Sequence, residues 1–207
     1  MAKPWFKKKG RRCHRETREL RDRILIVCEG RKTEPNYFRS FPVNREVVEV
    51  DITGEGANTL SLIREAIKLR DAATHPYNQV WCVFDRDEFP LDNFNRAFQL
   101  AKTNKIQIAY SNQCFELWYL LHFQYNDTAI HRNAYLGKLS TALEKDYEKN
   151  DSAMYKLLKD RQPDAIRNAK RLLASYQKID PGRNDPSTTV FRLVEILNAF
   201  ISNGEST

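Results

Sequence analysis

Short apolar runs alternate with amphipathic stretches through the first 110 residues. Four runs predict strands, at 24–28, 46–52, 80–84 and 106–110. The first and third have no polar alternation, which is typical of strands buried on both faces of a parallel sheet. The pattern therefore indicates an α/β protein rather than an all-helical or all-β one.

Helical spacing of apolar residues fills the intervals between these runs. Helices are predicted at 34–41, from Asn58 to just before His75, and at 91–101, giving a β-α-β-α-β-α-β series. Such alternation implies a parallel sheet with right-handed crossovers. A buried helix is predicted at 111–123, and the remainder has a helical pattern, with a loop at 180–186 before the final helix. The predicted divisions are a basic arm at 1–22, an α/β core at 23–123 and a helical lobe at 124–207.

Acidic residues follow two of the predicted strands. Glu29-Gly30 closes the first run, and Asp85-Arg86-Asp87 closes the third. Ligands of parallel sheets bind at the carboxyl ends of the strands, so these carboxylates are expected to lie close together. Because Mg²⁺ prefers oxygen ligands and needs only one or two carboxylates when phosphates and water complete its shell, the sequence predicts a magnesium site here.

The net charge of +7 comes from one end of the chain. Residues 1–23 alone carry a net +7, and the other 184 residues hold 24 charges of each sign. The candidates for phosphate contact are Lys7, Lys8, Lys9, Arg11 and Arg12, with Trp5 and Phe6 near them. Such an arm is suited to salt-sensitive binding of nucleic acid, and its aromatic pair to stacking on an unpaired base. The same composition is also typical of a solvated or disordered tail.

Several classes of protein are disfavoured. No apolar stretch approaches the roughly 20 residues needed to span a bilayer, so no membrane association and a cytoplasmic location are expected. The four cysteines are widely spaced without a C-x-x-C pair and are expected to be reduced. The loop at 53–57 contains glycine but lacks the Walker and G-x-G-x-x-G patterns of nucleotide-binding loops.

Glu116 stands within the apolar segment at 111–123. A buried carboxylate is costly unless it is paired, hydrogen-bonded or near a metal. Glu116 is therefore either a residue of the site or one half of a structural pair with an arginine.

The chain resembles the RloB family in several motifs. These are Ile-Val-Cys-Glu-Gly-x-x-Thr-Glu-Pro-x-Tyr-Phe at 26–38, Phe-Asp-Arg-Asp at 84–87, Ser-Asn-x-x-Phe-Glu-Leu-Trp at 111–118 with Leu-Leu-His-Phe at 120–123, and Pro-Ser-Thr-Thr-Val at 186–190. The resemblance covers residues 23–200, and it implies a Toprim-like parallel sheet flanked by helices. One departure is Gln113, where the family commonly has proline.

The resemblance also implies roles for named residues. Glu29 would act as a general acid or base or as a metal ligand, and Asp85 and Asp87 would hold Mg²⁺ or Mn²⁺. Glu34 would hold a second ion, although an acid in the first turn of a helix is also favoured by the helix dipole. Lys32 would neutralise a phosphate or simply be solvated, and Asn112 would orient a phosphate or a carboxylate.

The leading hypothesis is a metal-dependent nuclease of RNA, including tRNA, or DNA, acting in antiphage or abortive-infection defence. The resemblance implies a separate ABC-type ATPase as partner, since related effectors are often encoded beside one. The alternative is a catalytically silent Toprim-like module that binds nucleic acid and a partner. A third hypothesis is a small phosphoacceptor or nucleotide-handling domain, in which the basic arm would have no role. The sequence leaves the oligomeric state open.

Overall fold

A computed structural model describes residues 21–56, 58–86 and 90–201. The strands are β1 (Asp22–Cys28), β2 (Val48–Gly54), β3 (Gln79–Asp85), β4 (Gln107–Asn112) and β5 (Ser187–Thr188). The helices are α1 (Thr33–Arg39), α2 (Thr59–Ala72), α3 (Leu91–Thr103), α4 (Glu116–Leu120), α5 (Arg132–Leu143), α6 (Met154–Leu158), α7 (Gln162–Ala174) and α8 (Val190–Asn198), with a 3-10 turn at Lys159–Arg161. The predicted basic arm lies outside the described residues, apart from its last two positions.

The five strands form one sheet in the order β2-β1-β3-β4-β5. The first four are parallel, as the alternating pattern predicts, and β5 pairs antiparallel with β4. The chain passes from β1 outward to β2, and then returns to the other side of β1 to form β3. The sheet order therefore reverses between β1 and β3, which is the position where α/β sheets of this kind bind ligands.

Apolar side chains of β1 point alternately to two hydrophobic cores. Ile24, Ile26 and Cys28 face the core formed with α1 and the C-terminal helices. Leu25 and Val27 face the core formed with α2 and α3. Because both faces of β1 are covered, neither set of alternating residues has to be polar. This explains why the apolar run at 24–28 is continuous.

The helices after residue 131 pack on the same face of the sheet as α1. Residues of α5, α7 and α8, such as Leu139, Ala169 and Leu193, share one core with Ile26 and Trp81. The division at 123/124 between a core and a lobe stays a prediction.

The predicted helix at 111–123 is wrong in its extent. Ser111 and Asn112 belong to β4, where they pair with Thr188 and Ser187, and the helix covers only Glu116–Leu120. The peptide bond between Asn112 and Gln113 is cis. The predicted burial of the segment is confirmed, because the side chains from Leu117 to Leu121 are all inaccessible or nearly so.

Two further observations concern the remaining elements. Asn58 caps α2 as predicted, since its side chain accepts a hydrogen bond from the Ser61 N–H at 3.1 Å. In the described parts of the chain, none of the helices combines the length and the apolar character required to cross a bilayer.

Candidate functional site

Glu29 and Asp85 lie side by side at the reversal point of the sheet. Glu29 directly follows β1 and Asp85 ends β3, and these strands are neighbours. The Asp85 backbone N–H donates to Glu29 Oε2 at 3.1 Å, and the Glu29 N–H donates to the Val83 carbonyl at 2.8 Å. Two acidic motifs that are 56 residues apart in sequence are thus joined by direct hydrogen bonds, as the prediction of converging strand ends requires.

Glu34 is brought to the same place by the first turn of α1. It is 6% exposed, and its carboxylate folds back over Gly30. A Cβ atom at Gly30 would lie 2.8 Å from the Glu34 carboxyl carbon and 2.9 Å from Oε1, and closer still to Oε2. Only glycine at position 30 therefore leaves room for the carboxylate in this position.

The loop at 29–32 is supported by the end of β2. The Gly56 N–H donates to the Glu29 carbonyl at 2.8 Å, and the Glu55 N–H donates to the Cys28 carbonyl at 3.0 Å. A Cβ at Gly54 would come within 2.6 Å of the Gly30 carbonyl oxygen, so glycine is needed there for two backbones to approach. Gly54 thus serves the close packing of the two loops.

Glu29, Glu34 and Asp85 line an open cavity of about 430 Å³. Four cationic side chains also line it: Arg31, Lys32, Arg132 and Lys149. The predicted Lys32 is among them, whereas Arg132 and Lys149 were not predicted. A cavity whose lining combines carboxylates with cations suits a ligand that carries both a phosphate and a metal ion.

Lys149 and Asn150 reach the cavity on the loop at 144–153, between α5 and α6. Thr33 Oγ1 donates to Asn150 Oδ1 at 2.9 Å, and the Asn36 side chain donates to the Asn150 carbonyl at 3.3 Å. The same loop is also bonded to α5, because the Tyr147 N–H donates to Ser140 Oγ at 2.9 Å. The start of α1 and this later loop are therefore fastened to each other beside the acids.

Glu116 lies below this loop and is 4% exposed. Tyr147 Oη donates to Glu116 Oε1 at 3.2 Å, and Lys149 Nζ lies 3.9 Å from the same oxygen. The predicted pairing of this carboxylate exists, but with a tyrosine and a lysine rather than with an arginine. Glu116 does not line the cavity itself, and its contribution to a site stays a prediction.

Asn112 opens onto a neighbouring cavity of about 310 Å³ instead. Its side-chain N–H donates to the Asn184 carbonyl at 3.0 Å. Arg132 lines both cavities. Asn112 is thus at the carboxyl end of β4, as predicted, but it lines the second cavity and is not among the described lining residues of the cavity that holds the acids.

The donor set fits a hard divalent ion only in part. Carboxylate oxygens are the ligands that Mg²⁺ prefers. Among the described residues, however, no group of three or more His, Cys, Asp or Glu side chains is arranged to hold a metal ion. Asp87, the remaining predicted ligand, lies outside the described residues, as do Lys7, Lys8, Lys9, Arg11 and Arg12. A ligand set made of Glu29, Glu34, Asp85 and Asp87, with water and phosphate oxygens to complete the shell, therefore stays a prediction.

The described thiols are not nucleophiles. Cys28, Cys82 and Cys114 are buried and unbonded. Burial, and then the carboxylates of Glu116 and Asp85, raise the pKa of the Cys114 thiol, so it stays protonated at neutral pH. This leaves carboxylates and cations as the reactive groups of the cavity.

Two comparisons gave no match: neither the curated proteins nor the solved structures contain a significant relative of this chain. The third comparison was with protein-family models, and the model described as RloB-like protein matches residues 24–197. The matched region contains both acidic loops, the loop at 144–153 and the loop at 180–186. Since it covers most of the chain, the protein belongs to the RloB-like family.

Proposed function

We propose that this protein is a metal-dependent nuclease that cuts phosphodiester bonds of RNA or DNA. The observation that carries the proposal is a cavity at the reversal point of the sheet whose described lining combines three carboxylates with four cationic side chains. Nucleic-acid phosphates need cations for binding and a metal ion for activation, and this cavity offers groups for both.

The proposed metal is Mg²⁺ or Mn²⁺, held by Glu29, Glu34, Asp85 and Asp87. When bound, such an ion would polarise the phosphoryl group and make a bound water more acidic. Arg132 and Lys149 would neutralise the phosphate oxygens, and Lys32 would bind the strand at the rim. The contact between Glu29 Oε2 and the Asp85 N–H fixes the orientation of the Glu29 carboxylate, so its other oxygen would serve the metal or accept a proton.

The biological setting is part of the proposal. By resemblance to other RloB proteins, the nuclease would act in the bacterial cytoplasm in antiphage defence, through growth arrest, with a separate ABC-type ATPase that restrains or triggers it. The basic residues from Lys7 to Arg12 would add a sequence-independent grip on the nucleic acid.

A specific observation favours the alternative of a catalytically silent binding module. The described residues contain no cluster of three metal-ligating side chains. In that case the four cations would bind phosphates and the acids would serve to orient the surrounding loops.

Cleavage of labelled tRNA, single-stranded RNA and DNA tests the proposal. The wild type is compared with Glu29→Gln and Asp85→Asn in Mg²⁺ or Mn²⁺, and in EDTA. Glu195→Gln is the matched control, because Glu195 is an exposed acid on α8 paired with Lys170. We expect cleavage that needs the metal, a loss of about 10²-fold or more in both site variants, and a control within about twofold of wild type.

Binding of the same nucleic acids in EDTA distinguishes the two functions. Under the nuclease proposal, Glu29→Gln and Asp85→Asn bind at least as tightly as wild type although they do not cut. A wild type that binds nucleic acid but cuts none of these substrates, with its candidate ATPase also present, would refute the nuclease and support the binding module.

A further inference from the structure

The second cavity, beside that of the acids, has the features of a built anion site. Three arginines line it, Arg86, Arg132 and Arg183, together with His131 at the start of α5. The carboxylate among its described lining residues is that of Asp185, whose Oδ2 accepts a hydrogen bond from the Gln113 side chain at 3.0 Å. Among the described lining residues of this cavity, positive charges therefore outnumber negative ones.

One wall of this cavity is the loop at 180–186, which is fastened to the ends of β3 and β4. Arg86 Nε donates to the Gly182 carbonyl at 3.2 Å. The Asn112 side chain donates to the Asn184 carbonyl at 3.0 Å. With the bond from Gln113 to Asp185, three polar residues at the ends of β3 and β4, Arg86, Asn112 and Gln113, hold three positions of the loop.

The loop is also closed by its own hydrogen bonds. The backbone N–H groups of Arg183 and Asn184 both donate to the Asp180 carbonyl, at 3.0 and 2.8 Å. The Gly182 N–H donates to Asp180 Oδ1 at 3.2 Å, and the Asp180 N–H donates to Asn184 Oδ1 at 2.6 Å. The loop thus presents the exposed Arg183 side chain from a fixed backbone.

Gln113 joins the two walls of the cavity. Its Nε2 donates to Asp185 on the loop, and its Oε1 accepts from the Arg132 N–H at 3.1 Å at the start of α5. Arg132 in turn lines the cavity of the acids as well. A ligand in the second cavity and a ligand among the acids would therefore both lie beside Arg132.

We propose that this second cavity binds the phosphodiester group next to the scissile one on the same nucleic-acid strand, with Arg183 as its principal cation. This proposal rests on the proposed nuclease function only in assuming that the neighbouring phosphodiester group is cleaved. A phosphate subsite in the second cavity would serve a binding module equally well. Arginine suits this role because its planar, fixed fork of N–H donors matches two phosphate oxygens. A free nucleotide offers the same phosphate chemistry, and the experiment separates these two sources.

The test measures binding of labelled single-stranded RNA and DNA to the full chain in EDTA, at salt concentrations between about 50 and 200 mM. The variants are Arg183→Ala and Arg183→Lys. Arg96→Ala is the matched control: Arg96 is exposed on α3, and the described residues that line the two cavities do not include it. Competition by a 5′-mononucleotide and by inorganic phosphate is measured with the same proteins.

We expect Arg183→Ala to raise Kd about tenfold for all sequences and to reduce the slope of log K against log salt by about 0.7. Arg183→Lys should lie between Arg183→Ala and wild type, and Arg96→Ala should stay within about twofold of wild type. The melting temperature should be the same in all four proteins, because Arg183 is exposed.

Equal affinity and equal salt dependence for Arg183→Ala and wild type would overturn the subsite. So would equal losses of binding and of melting temperature in the alanine and lysine variants, since that result would mean a structural role. A mononucleotide that displaces the strand from wild type but not from Arg183→Ala would overturn the assignment to a strand. Cleavage is scored separately, so a wild type that cuts nothing refutes the nuclease without affecting these binding results.

Discussion

Gly30→Ala tests whether the position of the Glu34 carboxylate matters, without changing any charge. The new Cβ would overlap Glu34 Oε2 and would lie 2.8 Å from the carboxyl carbon, whereas ordinary contact begins at 3.4 Å, so the carboxylate must move by about 1 Å or more. The backbone of Gly30 is outside the left-handed region, so alanine itself is not strained there. The displaced group is the end of a flexible side chain, and the fold should therefore survive.

A displacement of this size in a catalytic group costs roughly 10- to 100-fold in rate, since misplacement by about 1 Å costs about 10²-fold. The assay is metal-dependent cleavage of the best substrate, with urea unfolding of the same samples. We expect the rate to fall by that factor while the free energy of unfolding changes by less than about 1 kcal/mol.

Gly137→Ala is the matched control for this substitution. Gly137 lies inside α5, and a Cβ there meets no described atom within 4 Å. The control should leave cleavage unchanged and raise the free energy of unfolding by about 0.5–1 kcal/mol, because alanine favours the helix. Wild-type cleavage by Gly30→Ala, together with an inactive Glu34→Gln, would refute the idea that the carboxylate must lie over Gly30. Full activity of both variants would leave Glu34 as a first-turn acid of α1.

Three further predictions concern stability. Burial lowers the pKa of His122 from 6.5 to about 4. Between these pH values the unfolded chain takes up a proton that the folded chain does not, so the free energy of unfolding should fall by about 3 kcal/mol from pH 6.5 to pH 4. His122→Asn should remove that part of the pH dependence in urea titrations. Gln113→Ala should lower the free energy of unfolding by about 1–3 kcal/mol, because the 180–186 loop loses its bond to the start of α5, and hydrogen exchange in that loop should increase. Tyr147→Phe removes the hydroxyl that donates to Glu116 and should cost about 1–3 kcal/mol in chemical unfolding, with little further loss when Glu116→Leu is already present.

The centre of the sheet was predictable because β1 and β3 are buried on both faces. Continuous apolar runs such as 24–28 and 80–84 leave few alternatives to a strand in a parallel sheet. The segment at 111–123 was not resolved correctly, because a buried strand end followed by a short buried helix has the same apolar composition as one longer helix. The partner that extends β4 to Asn112 is Ser187, which belongs to a strand of only two residues, too short for any periodic signal.

The acidic residues of the candidate site were predictable from local motifs. Glu29, Glu34 and Asp85 follow or precede recognisable elements, and the ends of parallel strands must meet at one edge of a sheet. Arg132 and Lys149 carry no such signal, because their place depends on how α5 and the loop at 144–153 pack against α1. The composition of those segments is that of an ordinary solvated surface.

Hydrogen bonds and an ion pair within the fold hold the acidic and the cationic residues of the cavity in place. Asn150 binds Thr33 and thereby fastens the loop that carries Lys149 to the first turn of α1, the turn that carries Glu34. Glu116 pairs with Lys149 in the same loop. The positions of the Glu34 carboxylate and of Lys149 are consequently set by packing within the fold, and a phosphate that enters the cavity does not need to bring them together. Such preorganisation is what electrostatic catalysis requires, and it is equally what a strong phosphate-binding module requires. The shape of the cavity therefore supports both proposals, and only the fate of the phosphodiester bond in the cleavage assay separates them.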